Sequence, residues 1–206
     1  TIINRSLRGK DIRGQEQIDE ILIRLDRTPN KKKLGANAIL GVSLVTARAA
    51  AVSAKMPLYR YLRKCFGIKE NKFSLPTPMF NIFNGGKHAD TNLDFQEFMV
   101  IPQAERHHAG KAKLISAKEK VSRGADVFHA LGKVLRERGF DTDVGNEGGY
   151  APDIFSSVQA LEMILAAIIR AGLTPGVDMS IGIDVGSSVL YNEEKNAYSK
   201  VVTHPV

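Results

Sequence analysis

The chain has 206 residues, of which 43% are hydrophobic and 25% are charged, and its formal net charge is +7. That length and composition are typical of one large or two small globular domains, and they exclude an intrinsically disordered chain. Charges interrupt the longest apolar stretches, as Arg48 interrupts residues 47–54, so we expect no membrane span.

The cysteine content and the basic residues bear on compartment and partner. The single cysteine, Cys65, has no partner for an internal disulfide, which favours a reducing compartment and a cytoplasmic location. The basic residues of the first third, such as Arg5, Arg13 and residues 31–33, alternate with no aromatic residues. They are typical of a solvated face, so nucleic acid is not an expected partner, whereas a phosphorylated substrate would suit the charge.

Helical patterns dominate the first part of the chain. Apolar residues from Ile18 to Leu25 recur at helical spacing, and residues 36–56 contain seven alanines, which predicts a closely packed, largely buried helix. A further helix is predicted over residues 58–65. The proline-containing segment that follows has no helical pattern, so we expect a mainly helical domain of residues 1–70 and a second domain of residues 71–206.

The second part begins with two predicted strands and continues with helices. The strands cover residues 79–83 and 93–101, and a turn at Asn84-Gly85-Gly86 joins them. A long helix is then predicted, with Gly139 at its C-terminal cap. Its apolar stripe is expected to consist of Val121, Ala125, Phe128, Leu131 and Leu135.

One more helix and one more strand complete the pattern. Ser157 is the expected N-cap of the helix, and Gly172 is expected to close it. Its predicted buried residues are Leu161, Ile164, Leu165 and Ile168. Residues 179–185 are predicted to form a strand. The order strand, strand, helix, helix, strand indicates an α/β fold, but it is incomplete for a closed barrel of eight units.

The first candidate site is the loop of residues 84–90, which presents His88 beside two glycines and can contact an anion. The alternative is a hairpin turn with surface charges.

The second candidate site is Gln96 and Glu97, where period-two alternation places Glu97 on the same face as Phe95, Met99 and Ile101. A carboxyl group on an interior face can be held neutral as a general acid; the alternative is a structural ion pair or an exposed face.

Two further carboxylates stand out. Glu147 lies among three glycines in residues 144–152, which suggests a close approach to another group, although a polar turn before a helix is the alternative. Asp184 ends an apolar strand. Because active sites of barrels lie at the carboxyl ends of strands, Asp184 is a candidate magnesium ligand. The alternative is an aspartate that caps the following loop.

These segments, together with residues 34–43, resemble the enolase family in order and spacing over nearly the whole chain. The resemblance implies the end of an α+β capping domain, followed by the first part, ββααβ, of an enolase-type TIM-like barrel that is incomplete here. It also implies magnesium-dependent dehydration of 2-phosphoglycerate to phosphoenolpyruvate in glycolysis or gluconeogenesis, and a homodimer for the full-length protein.

By the same resemblance, Asp184 matches a magnesium ligand, and Glu97 and Glu147 match the carboxylates that handle the departing hydroxyl. His88 matches an active-site histidine, and Gln96 matches a substrate-site amide. Further acidic ligands and the lysine base of the family have no counterpart in these residues. The chain is therefore expected to be a central fragment that is inactive alone. The alternative is a noncatalytic enolase-derived module for binding or scaffolding.

Overall fold

The computed structural model describes residues 1–69, 72–86, 93–103, 105–106, 112–154 and 156–199. The chain divides into two compact units, Thr1–Phe73 and Ser74–Val206. The boundary between residues 70 and 71 stays a prediction. Each unit has its own core.

The described part of the first unit is helical. It contains α1 (Ile2–Leu7), α2 (Gln15–Asp26), α3 (Ala36–Ser53) and α4 (Leu58–Cys65). The three longer helices confirm the sequence pattern, whereas α1 was not predicted. Ile18 and Leu22 of α2 pack on Ile39 of α3, and Tyr61 of α4 packs on the alanines of α3.

The prediction that the alanine-rich helix is largely buried is wrong. Helix α3 buries Ala47, Ala50 and Ala51 but leaves Leu44 57% and Val52 77% exposed. It is also the one helix in the described ranges that is long and apolar enough to cross a membrane by length and composition, with a mean hydropathy of 1.4. Core helices pass the same test.

Asp26 fixes the connection between α2 and α3. Its carboxylate accepts hydrogen bonds from the backbone N–H groups of Thr28 and Leu34, at 3.0 and 2.6 Å, and from the Thr28 hydroxyl. Burial alone would raise the pKa of Asp26, but these hydrogen bonds to the charged form outweigh it, so the pKa lies below its ordinary 3.8.

The second unit is built on a three-stranded sheet. Strands β1 (Phe80–Asn84), β2 (Glu97–Pro102) and β5 (Met179–Asp184) are hydrogen bonded in that order, and β2 runs antiparallel to both neighbours. Between β2 and the helices lies a short hairpin of β3 (Glu105–Arg106) and β4 (Ala112–Lys113). Apart from this inserted hairpin, the predicted order strand, strand, helix, helix, strand is confirmed.

The second predicted strand begins later than expected. Residues Asp94, Phe95 and Gln96 form a bend, and the ladder starts only at Glu97. After β5 follow a 3-10 turn (Ser187–Val189) and a hairpin of β6 (Tyr191–Asn192) and β7 (Ala197–Tyr198).

Helices α5 (Ala117–Glu137) and α6 (Ser157–Arg170) pack against the sheet and against each other. They form one core with the buried Phe98 and Val100 of β2. Arg170 of α6 also donates to Glu137 of α5 at 2.7 Å. The N-cap of α6 is Ser156 rather than the predicted Ser157, and Leu165 is 39% exposed.

The predicted stripe of α5 is partly wrong. Val121 and Ala125 face solvent, whereas Gly124 and Val127 are buried. A Cβ on Gly124 would lie 2.5 Å from the Phe80 ring, so this face of the helix contacts the sheet without a side chain. A stripe defined by large apolar residues cannot include such a contact.

We expect Asp26→Asn to lower the thermal midpoint of the first unit at neutral pH, because the amide cannot accept the same charge-assisted bonds. Since the folded pKa of Asp26 is depressed, its contribution is present above about pH 4 and is lost as the pH falls through the folded pKa. The thermal midpoints of the parent chain and of Asp26→Asn, measured by circular dichroism, should therefore converge as the pH is lowered from neutral to acid. The exposed Asp126→Asn provides the control, and a constant offset at every pH would contradict this role of Asp26.

Candidate functional site

Three polar residues meet where the strands of the sheet end. Asn84 is the last residue of β1, Glu97 the first of β2, and Asp184 the last of β5. The register pairs Glu97 with Asn84 on one side and with Asp184 on the other. Because directly paired residues point to the same face, their side chains share one end of one sheet face.

That face is the one opposite the helices. Along β2, Phe98, Val100 and Pro102 are buried, whereas Glu97, Met99 and Ile101 are half-buried. The expected alternation is therefore confirmed for Glu97, Met99 and Ile101. The sequence left open whether Glu97 lies on an interior or an exposed face. In the structure its side chain is half-buried, so neither description fits it fully.

Asn84 is the most enclosed polar residue of this group, with 0% of its surface exposed. Its side-chain oxygen accepts a hydrogen bond from the Asn81 amide. Its backbone N–H donates to the carbonyl of Tyr150 at 2.9 Å, and the Tyr150 N–H donates back to Ile82 at 2.9 Å. The segment that carries Glu147 is thus tied to the end of β1.

Two glycines allow this approach. A Cβ on Gly145 would lie 2.3 Å from Asn84 Nδ2, and a Cβ on Gly149 would lie 2.8 Å from Asn84 Oδ1. The close approach suggested by the glycines around Glu147 is therefore, at these two positions, an approach to the Asn84 side chain.

Glu147 itself is at the exposed tip of this loop. The Gly148 N–H donates to the Gly145 carbonyl at 3.1 Å, and the Gly145 N–H donates to the Gly149 carbonyl at 2.8 Å. Tyr150 then anchors the loop, since its ring stacks on Phe128 with centroids 4.4 Å apart. Burial raises the pKa of the Tyr150 hydroxyl, which keeps that anchor uncharged.

Asp184 and Gln96 meet at the turn after β5. One Asp184 carboxylate oxygen accepts the Gly186 N–H at 2.9 Å, which is the loop-capping role considered from the sequence. The Gln96 N–H donates to the Asp184 carbonyl at 3.0 Å. Gly186 has φ +58°, and a Cβ there would lie 2.5 Å from Gln96 Oε1, so Gln96 packs directly on this turn.

The structure thus brings three of the five predicted site residues, Gln96, Glu97 and Asp184, to one edge. The loop that carries Glu147 is tied to the same edge through Gly145, Gly149 and Tyr150. The fifth, His88, lies outside the described residues. Asn84 was part of the first candidate loop, residues 84–90, but no role at the site was predicted for it. The one available signal was its position between an apolar run and Gly85-Gly86.

The chemistry of these side chains suits magnesium only in part. Asp184 offers exposed carboxylate oxygen next to Glu97, and such oxygens suit Mg²⁺. Within the described ranges, however, no group of three or more His, Cys, Asp or Glu side chains is close enough to hold a metal ion. The described part of the chain therefore does not form a metal centre by itself.

The second unit has a sheet covered by helices on one face and carboxylates where the strands end. These features place it in the class of α/β domains with a candidate site at the strand ends. Comparison with known families gives the particular assignment. Residues 72–204 match the family described as "Enolase, C-terminal TIM barrel domain", and residues 1–62 match "Enolase, N-terminal domain". The chain belongs to the enolase family, which confirms the resemblance seen in the sequence motifs.

We expect Gly145→Ala to destabilise the second unit by about 1–3 kcal/mol, because the new methyl group overlaps Asn84 and the loop must shift. Chemical denaturation measures the loss. Gly41→Ala is the matched control, since a Cβ at that helical position meets nothing within 4 Å. It should leave stability unchanged or raise it by up to about 1 kcal/mol. Equal effects of the two variants would contradict the close contact between Gly145 and Asn84.

Proposed function

We propose that these residues form one part of an enolase-type site, which dehydrates 2-phospho-D-glycerate to phosphoenolpyruvate with Mg²⁺. The observation that carries the proposal is the convergence of Glu97, Asp184 and the Glu147 loop at one sheet edge in a chain of the enolase family. Family membership supports the reaction class, and the strand register supports the choice of residues.

In this proposal Glu97 and Glu147 act on the leaving group. Hydroxide leaves poorly, so a carboxyl group close to the C3 oxygen of the substrate has to deliver a proton to it. Glu97 is held at the first position of a strand, and Glu147 at the tip of a hydrogen-bonded loop. Because both supports are part of the folded unit, the two groups need no large rearrangement before reaction.

Asp184 and Gln96 complete the proposed arrangement. Asp184 would supply one magnesium ligand, and bound magnesium would offset the negative charge that develops on the substrate carboxylate. Gln96, packed on the Gly186 turn, would offer an amide to the substrate. His88, outside the described residues, is proposed for substrate contact from the resemblance alone.

The test is a chimera. In a full-length enolase of established activity, the segment that matches residues 72–199 is replaced by these residues, and phosphoenolpyruvate formation is measured. We expect turnover, and we expect Glu97→Gln and Glu147→Gln to lower kcat by about 10²–10⁴, because each removes a proton-transfer group. Asp184→Asn should raise the magnesium concentration needed for half-maximal rate.

Glu137→Gln is the control, because Glu137 pairs with Arg170 between the outer helices. It should leave kcat unchanged. A folded chimera without turnover, or one in which Glu147→Gln behaves like Glu137→Gln, would contradict the proposed site. The 206-residue chain assayed alone, with excess magnesium and with EDTA, should show little turnover, since a matched lysine base and most matched metal ligands are absent from these residues.

A further inference from the structure

An aromatic and basic surface lies at α4, within the first unit. The rings of Tyr59 and Phe73 are edge to face, with centroids 5.2 Å apart and an interplanar angle of 87°. The Arg63 guanidinium lies 4.5 Å from the Phe73 centroid, and that of Arg60 lies 5.9 Å from the Tyr59 centroid and 5.8 Å from that of Phe73. We call Tyr59, Arg60, Arg63, Lys72 and Phe73 the α4 patch.

The α4 patch is ordered by its own contacts and still open to solvent. Arg63 Nη1 donates to the Lys72 carbonyl at 3.0 Å, which holds the segment of Phe73 against the helix. Tyr59 is nevertheless 55% and Phe73 53% exposed. Large aromatic rings held in place by cations, with half of their surface in water, are typical of a binding surface rather than of a core.

Cations predominate in this segment. The described residues from Leu58 to Phe73 include five cations and no carboxylate. The cations are Arg60, Arg63, Lys64, Lys69 and Lys72. Glu70 is the one acid in this stretch of the sequence and lies outside the described residues. A polyanion is therefore the complementary partner.

The apolar face of α4 decides between two kinds of polyanion. An anionic bilayer takes up an amphipathic helix by its apolar face. In α4 that face, with Tyr61 and Leu62, is already packed on Ala47 and Ala50 of α3. What stays exposed is aromatic rings beside guanidinium groups, which is the combination that stacks on bases and binds phosphates of single strands.

We propose that the α4 patch binds single-stranded polynucleotide, with bases against Tyr59 and Phe73 and phosphates at the cations of the segment. The expectation that excluded nucleic acid was based on the basic residues of the first third, which alternate with no aromatic residues. The fold brings Phe73 onto Tyr59 from beyond the end of α4, which no local spacing reveals. This proposal is independent of the proposed enolase activity.

The experiment measures fluorescence anisotropy of a labelled oligouridylate of about 12 nucleotides titrated with the 206-residue chain at several salt concentrations. Tyr59→Ala/Phe73→Ala keeps the net charge and should weaken binding about tenfold or more, because each lost stacking contact weakens it by about that factor. Tyr59→Phe/Phe73→Tyr keeps both rings and should bind like the parent chain, and circular dichroism verifies the fold of each variant.

Two matched charge variants localise the site. Two double variants each remove two positive charges: Lys69→Gln/Lys72→Gln and Lys32→Gln/Lys33→Gln. Only the first pair lies in residues 58–73, the segment that carries the α4 patch. The first should weaken binding and reduce its salt dependence more than the second. Equal effects of the two pairs with no effect of the aromatic double variant would overturn the proposal in favour of diffuse attraction. Binding to phosphatidylserine vesicles without binding to the oligonucleotide would also overturn it.

Discussion

The buried amide of Asn84 is the contact on which the candidate site depends. A buried amide is costly unless it is hydrogen bonded and closely packed. At the point where β1 ends, the Asn84 side-chain oxygen accepts a hydrogen bond from Asn81, and Gly145 and Gly149 pack closely around the amide. Any larger residue at these two glycines would push the loop away, so the position of Glu147 follows from how Asn84 is packed.

The sheet register adds a second constraint. Because β2 is antiparallel to both neighbours, its first residue lies beside the last residues of β1 and β5. A carboxylate at this end of the sheet is supported by the ladder and still reaches water, which avoids the free energy of full burial. The helices cover the other face with an apolar core, so the candidate site and the core lie on opposite faces of the same strands.

Much of this organisation could be predicted from the sequence, and the misses have physical reasons. Periodicity predicted the main helices, and the alternation around Glu97 predicted its face. The predicted buried stripe of α5 was partly wrong because Gly124 contacts the Phe80 ring without a side chain of its own. The prediction that α3 is largely buried was wrong because only the face with Ala47, Ala50 and Ala51 packs, while Leu44 and Val52 face water.

The site was predictable only in part. Asp184, Glu97 and Glu147 could be selected because carboxylates next to glycines or at strand ends are conspicuous. Asn84 could not, since its importance comes from tertiary contacts with a loop far along the chain. The aromatic pair of Tyr59 and Phe73 has the same origin, because a contact between a helix and a later segment leaves no local pattern.

The most direct test of the account is the contact of Asn84 with the Glu147 loop in solution. In an isotope-labelled sample of the chain, nuclear Overhauser effects are measured from the Asn84 side-chain amide protons to the α protons of Gly145 and Gly149. The account predicts a strong effect to Gly145, which lies at Nδ2, a weaker effect to Gly149, which lies at Oδ1, and slow exchange of the Tyr150 backbone amide. Absence of both effects, with a Tyr150 amide that exchanges as fast as an unfolded chain, would contradict it.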